Sequence, residues 1–112
     1  MTTHIFLARH AQTYALPPAV PVTVDLSING ARHWRFVVKN TGDTNDLDAM
    51  TVERYSLGVD DLGEGPVAVT ADLPLGPGES TRIVGTDEPI GTLRLVLTSS
   101  LGTSVRIVGG GR

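Results

Sequence analysis

The side chains through which this 112-residue chain could do chemistry are three histidines, a serine in a glycine turn, a glycine-rich loop, two acidic clusters and eight arginines. His4, His10 and His33 share no helix face and no metal-ligand spacing, so they read as solvated or interface histidines. Ser80 follows Gly78-Glu79 into a strand. It lacks the strand-to-helix elbow of a nucleophilic serine and reads as a turn residue. Gly76-Pro77-Gly78 has no following lysine and no helix amino end to face a phosphate. Asp43, Asn45, Asp46 and Asp48 form one oxygen-rich cluster, and Asp60, Asp61 and Glu64 a second. Hard cations use such oxygens, but loops one strand apart lie at opposite ends of a sandwich, so the clusters are expected not to share an ion and to be ordinary turn carboxylates. No nucleophile, base and orienting group can be named together, so an enzyme is not expected, and no cofactor or resident metal is implied.

Arginine accounts for every basic residue except Lys39. Arg35, Arg54, Arg94 and Arg106 fall where strand alternation points them off the core, and arginine suits planar paired contacts to carboxylates at interfaces. Arginine-favouring codon usage explains the same bias equally well. The net charge is −3, and the basic groups come one at a time along the strands. That dispersal argues against a phosphate-tracking surface, and nucleic acid is not an expected partner. The chain contains no cysteine, which removes disulfides and thiolate chemistry. Ile5-Phe6-Leu7-Ala8 is too short an apolar run for a signal-peptide core or a membrane span, so neither export by that route nor a membrane partner is expected.

These side chains must be positioned by strands. Trp34, Phe36 and Val38 alternate with Arg35, Val37 and Lys39, and Asn40, Gly42 and Asp43 supply the turn that ends the run. Val22, Val24 and Leu26 form an earlier strand, and a three-residue loop at Ile28-Asn29-Gly30 with Gly30 left-handed would pair Val24 with Trp34. Between Met50 and Leu57 the apolar phase changes, as a bulge near Glu53-Arg54 would make it; a helix with Asp46 as cap is the rival reading. After a Gly- and Asp-rich loop (58–65) come a short strand at Val67 and Val69 and another from Ser80 to Val84. Leu93, Leu95 and Leu97 precede a turn at Ser100-Leu101-Gly102, then Val105 and Ile107 follow. A hairpin with Gly102 left-handed would set Leu97 opposite Val105 and Leu95 opposite Ile107.

The expected fold is therefore all-β, an immunoglobulin-like antiparallel sandwich of about seven strands over residues 22–108. Residues 109–112 read as a flexible glycine-rich tail. Residues 1–21, acid-free and carrying Pro17, Pro18 and Pro21, read as an extended arm. Its apolar residues Ile5, Phe6, Leu7, Tyr14 and Leu16 are the candidate partner-binding site, able to add to a neighbour's sheet edge or groove. The other reading makes residues 4–8 an edge strand of the same domain.

The strand ending in Asn40-Thr41-Gly42-Asp43, with Leu75-Gly76-Pro77-Gly78-Glu79-Ser80 some thirty residues on, resembles the two landmarks of adhesion-type immunoglobulin-like modules of the CARDB kind. In build, a free-standing small sandwich with an arm also resembles the decoration and head-tail accessory proteins of tailed bacteriophages. The second resemblance implies a non-enzymatic structural protein of a virion, a capsid decoration or other accessory protein made in the host cytoplasm. Its partner would be a protein lattice, with a homo-oligomer possible. The first implies the alternative, a carbohydrate- or protein-binding adhesion module.

Overall fold

The computed structural model describes residues 8–27, 33–56, 63–68, 73–86 and 90–111. They form β1 (Ala8–Leu16), β2 (Val22–Ser27), β3 (His33–Asn40), β4 (Ala49–Ser56), β5 (Gly63–Ala68), β6 (Ser80–Thr86), β7 (Ile90–Thr98) and β8 (Thr103–Gly111). One sheet runs β1-β8-β3-β6 and the other β2-β7-β4-β5, and every pairing is antiparallel. The pairs β1 with β8, β2 with β7, β3 with β6 and β4 with β5 are the successive rungs of one long ribbon folded back at the β4–β5 connection. Rolling that ribbon brings β3 beside β8 and β4 beside β7, which closes two four-stranded sheets over one core. This is the strand order of an eight-stranded jelly roll.

The expected all-β antiparallel sandwich is present, but its strand order is not immunoglobulin-like. Alternation correctly assigned the inward side chains: Val24 and Leu26, Trp34, Phe36 and Val38, Leu93, Leu95 and Leu97, and Val105 and Ile107 are all buried. It could not assign their sheet. Val24 pairs with Leu95, whereas Trp34 lies between Gly85 and Gly111 in the opposite sheet. Likewise Leu97 pairs with Val22 and Met50, and Val105 with Tyr14 and Asn40, so neither expected hairpin exists. Two strands joined by a short arch and two joined by a hairpin carry the same inward pattern, because both point their apolar sets at one core. Gly102 is left-handed as expected, with φ 87°. Gly30 lies outside the described residues. β4 is a strand and not a helix, and its register against β5 shifts between Glu53 and Tyr55, where the bulge was expected.

Both terminal readings change. Residues 8–16, assigned to an arm, form an edge strand on β8. The glycines assigned to a flexible tail complete β8, because the bulk they lack is supplied by a neighbouring strand. Gly109 and Gly111 stand opposite Phe36 and Trp34, and a Cβ at Gly109 would run into the Arg35 carbonyl oxygen and lie 2.7 Å from Phe36 Cα. Trp34 and Phe36 fill the core above that glycine lane.

The end of the sandwich that carries the β1–β2, β3–β4 and β7–β8 connections is closed by Leu47 and Leu75. Each donates its N–H to the other's carbonyl, at 2.9 and 3.0 Å, and both side chains are buried. Asn40, fully buried at the end of β3, ties this closure together. Its Nδ2 donates to the carbonyls of Asn45 (2.8 Å) and Leu75 (2.9 Å), while its Oδ1 accepts from Gly42 N (3.0 Å) and Thr103 Oγ1 (2.8 Å). Two donors and two acceptor positions are all that an amide side chain has, and all four are used. Replacing Asn40 by Asp keeps the shape but turns an oxygen toward two carbonyls. We expect a loss of about 3 kcal/mol, the cost of orphaning buried carbonyls beside a carboxylate. It reads as a urea midpoint lower by roughly 2 M at a slope near ~1.5 kcal/mol/M.

Candidate interaction face

Side chains that leave the core from β1, β8, β3 and β6 share one outer face, and the registers fix their neighbours. One rung across the sheet is Thr13, Arg106, Lys39 and Ser80. The next is Ala11, Val108, Val37 and Arg82, and a third brings Gly110, Arg35 and Val84 together. Arg35, Lys39, Arg82 and Arg106 are all exposed, and the four strands contain no Asp or Glu. Within this basic frame lie the half-buried Val37 and the exposed Val84 (59%) and Val108 (42%).

The opposite sheet treats charge differently. There Arg94 stands in register between Asp25 on β2 and Glu53 on β4. Its Nε and Nη2 donate to the two Asp25 carboxylate oxygens at 2.7 and 3.2 Å. On the β1-β8-β3-β6 face, Lys39 instead stands directly opposite Arg106, and like charges in that position destabilise a sheet. Among the described residues Arg106 has only a long 3.3 Å bond to Thr13 Oγ1, and no carboxylate reaches the four cations. The basic residues read as dispersed along the sequence are thus gathered by the fold onto one surface. Lys39 and Arg82 were not singled out with Arg35 and Arg106. Thr81 and Ile83 facing inward put Arg82 outward by alternation, but nothing local tells that four acid-free strands share a sheet.

The residues expected to bind partners are differently placed. Leu16 is buried in this domain's own core, and Tyr14 packs half-buried against it. Ile5, Phe6 and Leu7 lie outside the described residues. Tyr14 instead builds a small polar site on β1: its hydroxyl lies 2.7 Å from His10 Nε2, and the rings are parallel within 2° at a centroid distance of 5.9 Å. Burial lowers the His10 pKa and raises that of Tyr14, so the neutral pair is favoured, its hydrogen-bond direction set by the imidazole tautomer.

Asp48, Asn45 and the Asp46 main chain of the first acidic cluster are used in loop structure. Asp48 Oδ2 accepts from Ser100 N at 2.7 Å, Asn45 Nδ2 donates to the Gly102 carbonyl at 2.7 Å, and Ser99 Oγ donates to the Asp46 carbonyl at 2.6 Å. Among the described residues no group of three or more His, Asp or Glu could hold a metal ion. The second cluster, apart from the backbone of Glu64 in β5, lies outside the described residues. No described helix is long and apolar enough to cross a membrane.

No protein-family model matches this sequence, and no curated protein is similar to it. Among solved structures, a chain in the structure of infectious bursal disease virus, Gx strain, is similar in fold, with a TM-score of 0.52 at 19% identity. A chain of the Gt strain structure gives 0.48 at 16%. The alignments cover 95% and 91% of this chain but 29% of each viral chain, so this chain spans less than a third of their length.

The His10–Tyr14 pair makes β1 sensitive to pH. Because the folded-state pKa of His10 lies below its ordinary value of about 6.5, the pair's stabilisation is complete above that pH and is lost as the pH falls through the folded value. Hydrogen exchange should show the β1 amides from His10 to Tyr14 less protected at pH 5 than at pH 7.5, by roughly a few-fold after correction for intrinsic rates. His10→Gln should flatten that difference.

Proposed function

We propose that this chain is a non-enzymatic structural component of a virion, and more specifically a bacteriophage capsid decoration or accessory protein. The observation that carries this reading is the acid-free sheet face with exposed valines, presented by a jelly-roll body. Among the described residues no carboxylate pairs with the four exposed cations, and Lys39 stands opposite Arg106, a like-charge arrangement that a covering, carboxylate-bearing surface would offset. The jelly roll is a fold that viral capsid domains use, and the likeness to a chain of infectious bursal disease virus agrees with that use. Burial of one modest face, repeated by symmetry over many copies, stabilises a shell even though each contact is weak.

Docking through the amino terminus remains part of the proposal in a shortened form. Ile5, Phe6 and Leu7 are its apolar side chains, while Tyr14 and Leu16 belong to the body that carries them. The alternative, a carbohydrate-binding module, draws on the use of the same fold by lectins. It would need an exposed aromatic platform, and among the described side chains Trp34 and Phe36 are buried while Tyr14 is stacked on His10.

Quantitative mass spectrometry of particles purified from the source of the chain tests the proposal. The expected result is a fixed, symmetry-related copy number per particle. Salt extraction should remove the chain and leave closed shells that disrupt at lower temperature. Absence from purified particles would contradict the assignment.

A further inference from the structure

The surface that covers the basic face must offer carboxylates around an apolar centre. Phosphate alone does not fit: the middle of the face is the Ala11, Val108 and Val37 rung, with exposed Val84 beside it, and a phosphate backbone gains nothing from valine. The four strands of this sheet hold five of the nine basic residues, Arg9 included, and none of the twelve acids, so the remaining four basic residues are outnumbered elsewhere in the chain. Part of that excess lies at the loop end. Asp43, Asp46, Asp48 and Glu79 are exposed there, and so are two large apolar side chains, Leu101 (72%) on the β7–β8 connection and Val20 (50%) on the β1–β2 connection. Leu101 is an integral part of this end: Asn45 Nδ2 donates to its carbonyl at 3.2 Å. Val20 is tied to the same end through Ala19, whose N–H donates to the Ser99 carbonyl at 2.8 Å.

Resting on the assembly reading above, we propose that the occupant of the basic face is the loop end of a second copy of this chain. Leu101 and Val20 meet the valine rung, and Asp43 and Asp46 meet Arg82, Arg106 and their neighbours. The two surfaces differ, so the contact is heterologous and propagates from copy to copy into a ring or an open array. Its size sets its strength. Four strands of up to nine residues present a face of about 30 Å by 19 Å, roughly 550 Å². A stable standard interface takes about 800 Å² from each partner. The contact is therefore weak in dilute solution and becomes effective where copies are concentrated on a lattice.

A charge exchange tests it by sedimentation equilibrium of the full chain. Wild type should rise above its 11.8 kDa monomer mass with concentration at low salt and return to it in ~0.5 M NaCl, where the Debye length is only about 4 Å. Arg82→Glu with Arg106→Glu should weaken association at least about tenfold, and so should Asp43→Arg with Asp46→Arg, corresponding to ~1.4 kcal/mol. An equimolar mixture of the two variants should associate again, because each reversed surface then finds its opposite. Near-ultraviolet circular dichroism of Trp34 checks that each variant is folded. Val84→Asp, at an exposed site, supplies the same loss of association should a double variant fail to fold. Variants that associate like wild type, or a mixture that stays monomeric, would overturn the proposal. A wild-type chain that is monomeric throughout yet present in fixed copy number on purified particles would overturn this contact alone and leave the assembly reading standing.

Discussion

The Asn40 side chain is the constraint on which the arrangement of this molecule's loop end depends. A strand that leaves a sheet exposes backbone groups, and burying several such exits together is permissible only if each group finds a partner. Asn40 answers for three segments at once, the β3–β4 connection, the segment before β6, and the start of β8. Its own main chain is also paired, the N–H with the Glu79 carbonyl at 2.9 Å and the carbonyl with Gly78 N–H at 2.8 Å. With these bonds made, Leu47 and Leu75 close over the core as apolar plugs. The acids and exposed apolar side chains of the same end are then held in one fixed pattern. A polar network of this kind specifies an arrangement because a half-satisfied version of it is worse than none.

Charge is distributed over that frame unevenly. On the β2-β7-β4-β5 face Arg94 is neutralised internally, by Asp25 in register beside it. The β1-β8-β3-β6 face carries Lys39 opposite Arg106 with no acid in any of its strands. Two sheets of one small domain thus follow opposite rules under the same requirements of folding. Stability alone gives no reason for the second rule, since like charges opposite one another weaken a sheet. A covering surface does, because carboxylates brought from outside turn the same cations into paired, directional contacts.

Much of this was legible in the sequence, and what was not has a common cause. The inward residues of β2, β3, β7 and β8, the bulge in β4 and the left-handed Gly102 follow from period-two patterns and turn chemistry, which are local. Sheet membership is not local. Leu97 and Val105 face one core whether their strands pair or arch across it, so the pattern that fixed their direction was silent on their partners. The same silence hid the candidate interaction face, whose cations Arg35, Lys39, Arg82 and Arg106 come from three strands, β3, β6 and β8, that only the rolled ribbon makes neighbours. The glycines after Val108 were misread because their role is to leave room for Phe36 and Trp34, two aromatic side chains more than seventy positions earlier. Residues 8–16 were misread because the prolines at 17, 18 and 21 mark a boundary between strands and not the end of an arm.

Lys39 offers the most direct measurement of the central claim that the basic face is a covered surface. It is the sole lysine and it stands on that face, so a zero-length carbodiimide cross-linker joins its amine only to a carboxylate in immediate contact. The cross-linking should be carried out on a mixture of isotopically light and heavy chain at high concentration and low salt, and the linked peptides read by mass spectrometry. The account predicts mixed light–heavy pairs that join Lys39 to Asp43, Asp46 or Glu79 of another copy. Links that are only light–light and heavy–heavy would show the amine reaching carboxylates of its own chain, and would contradict it.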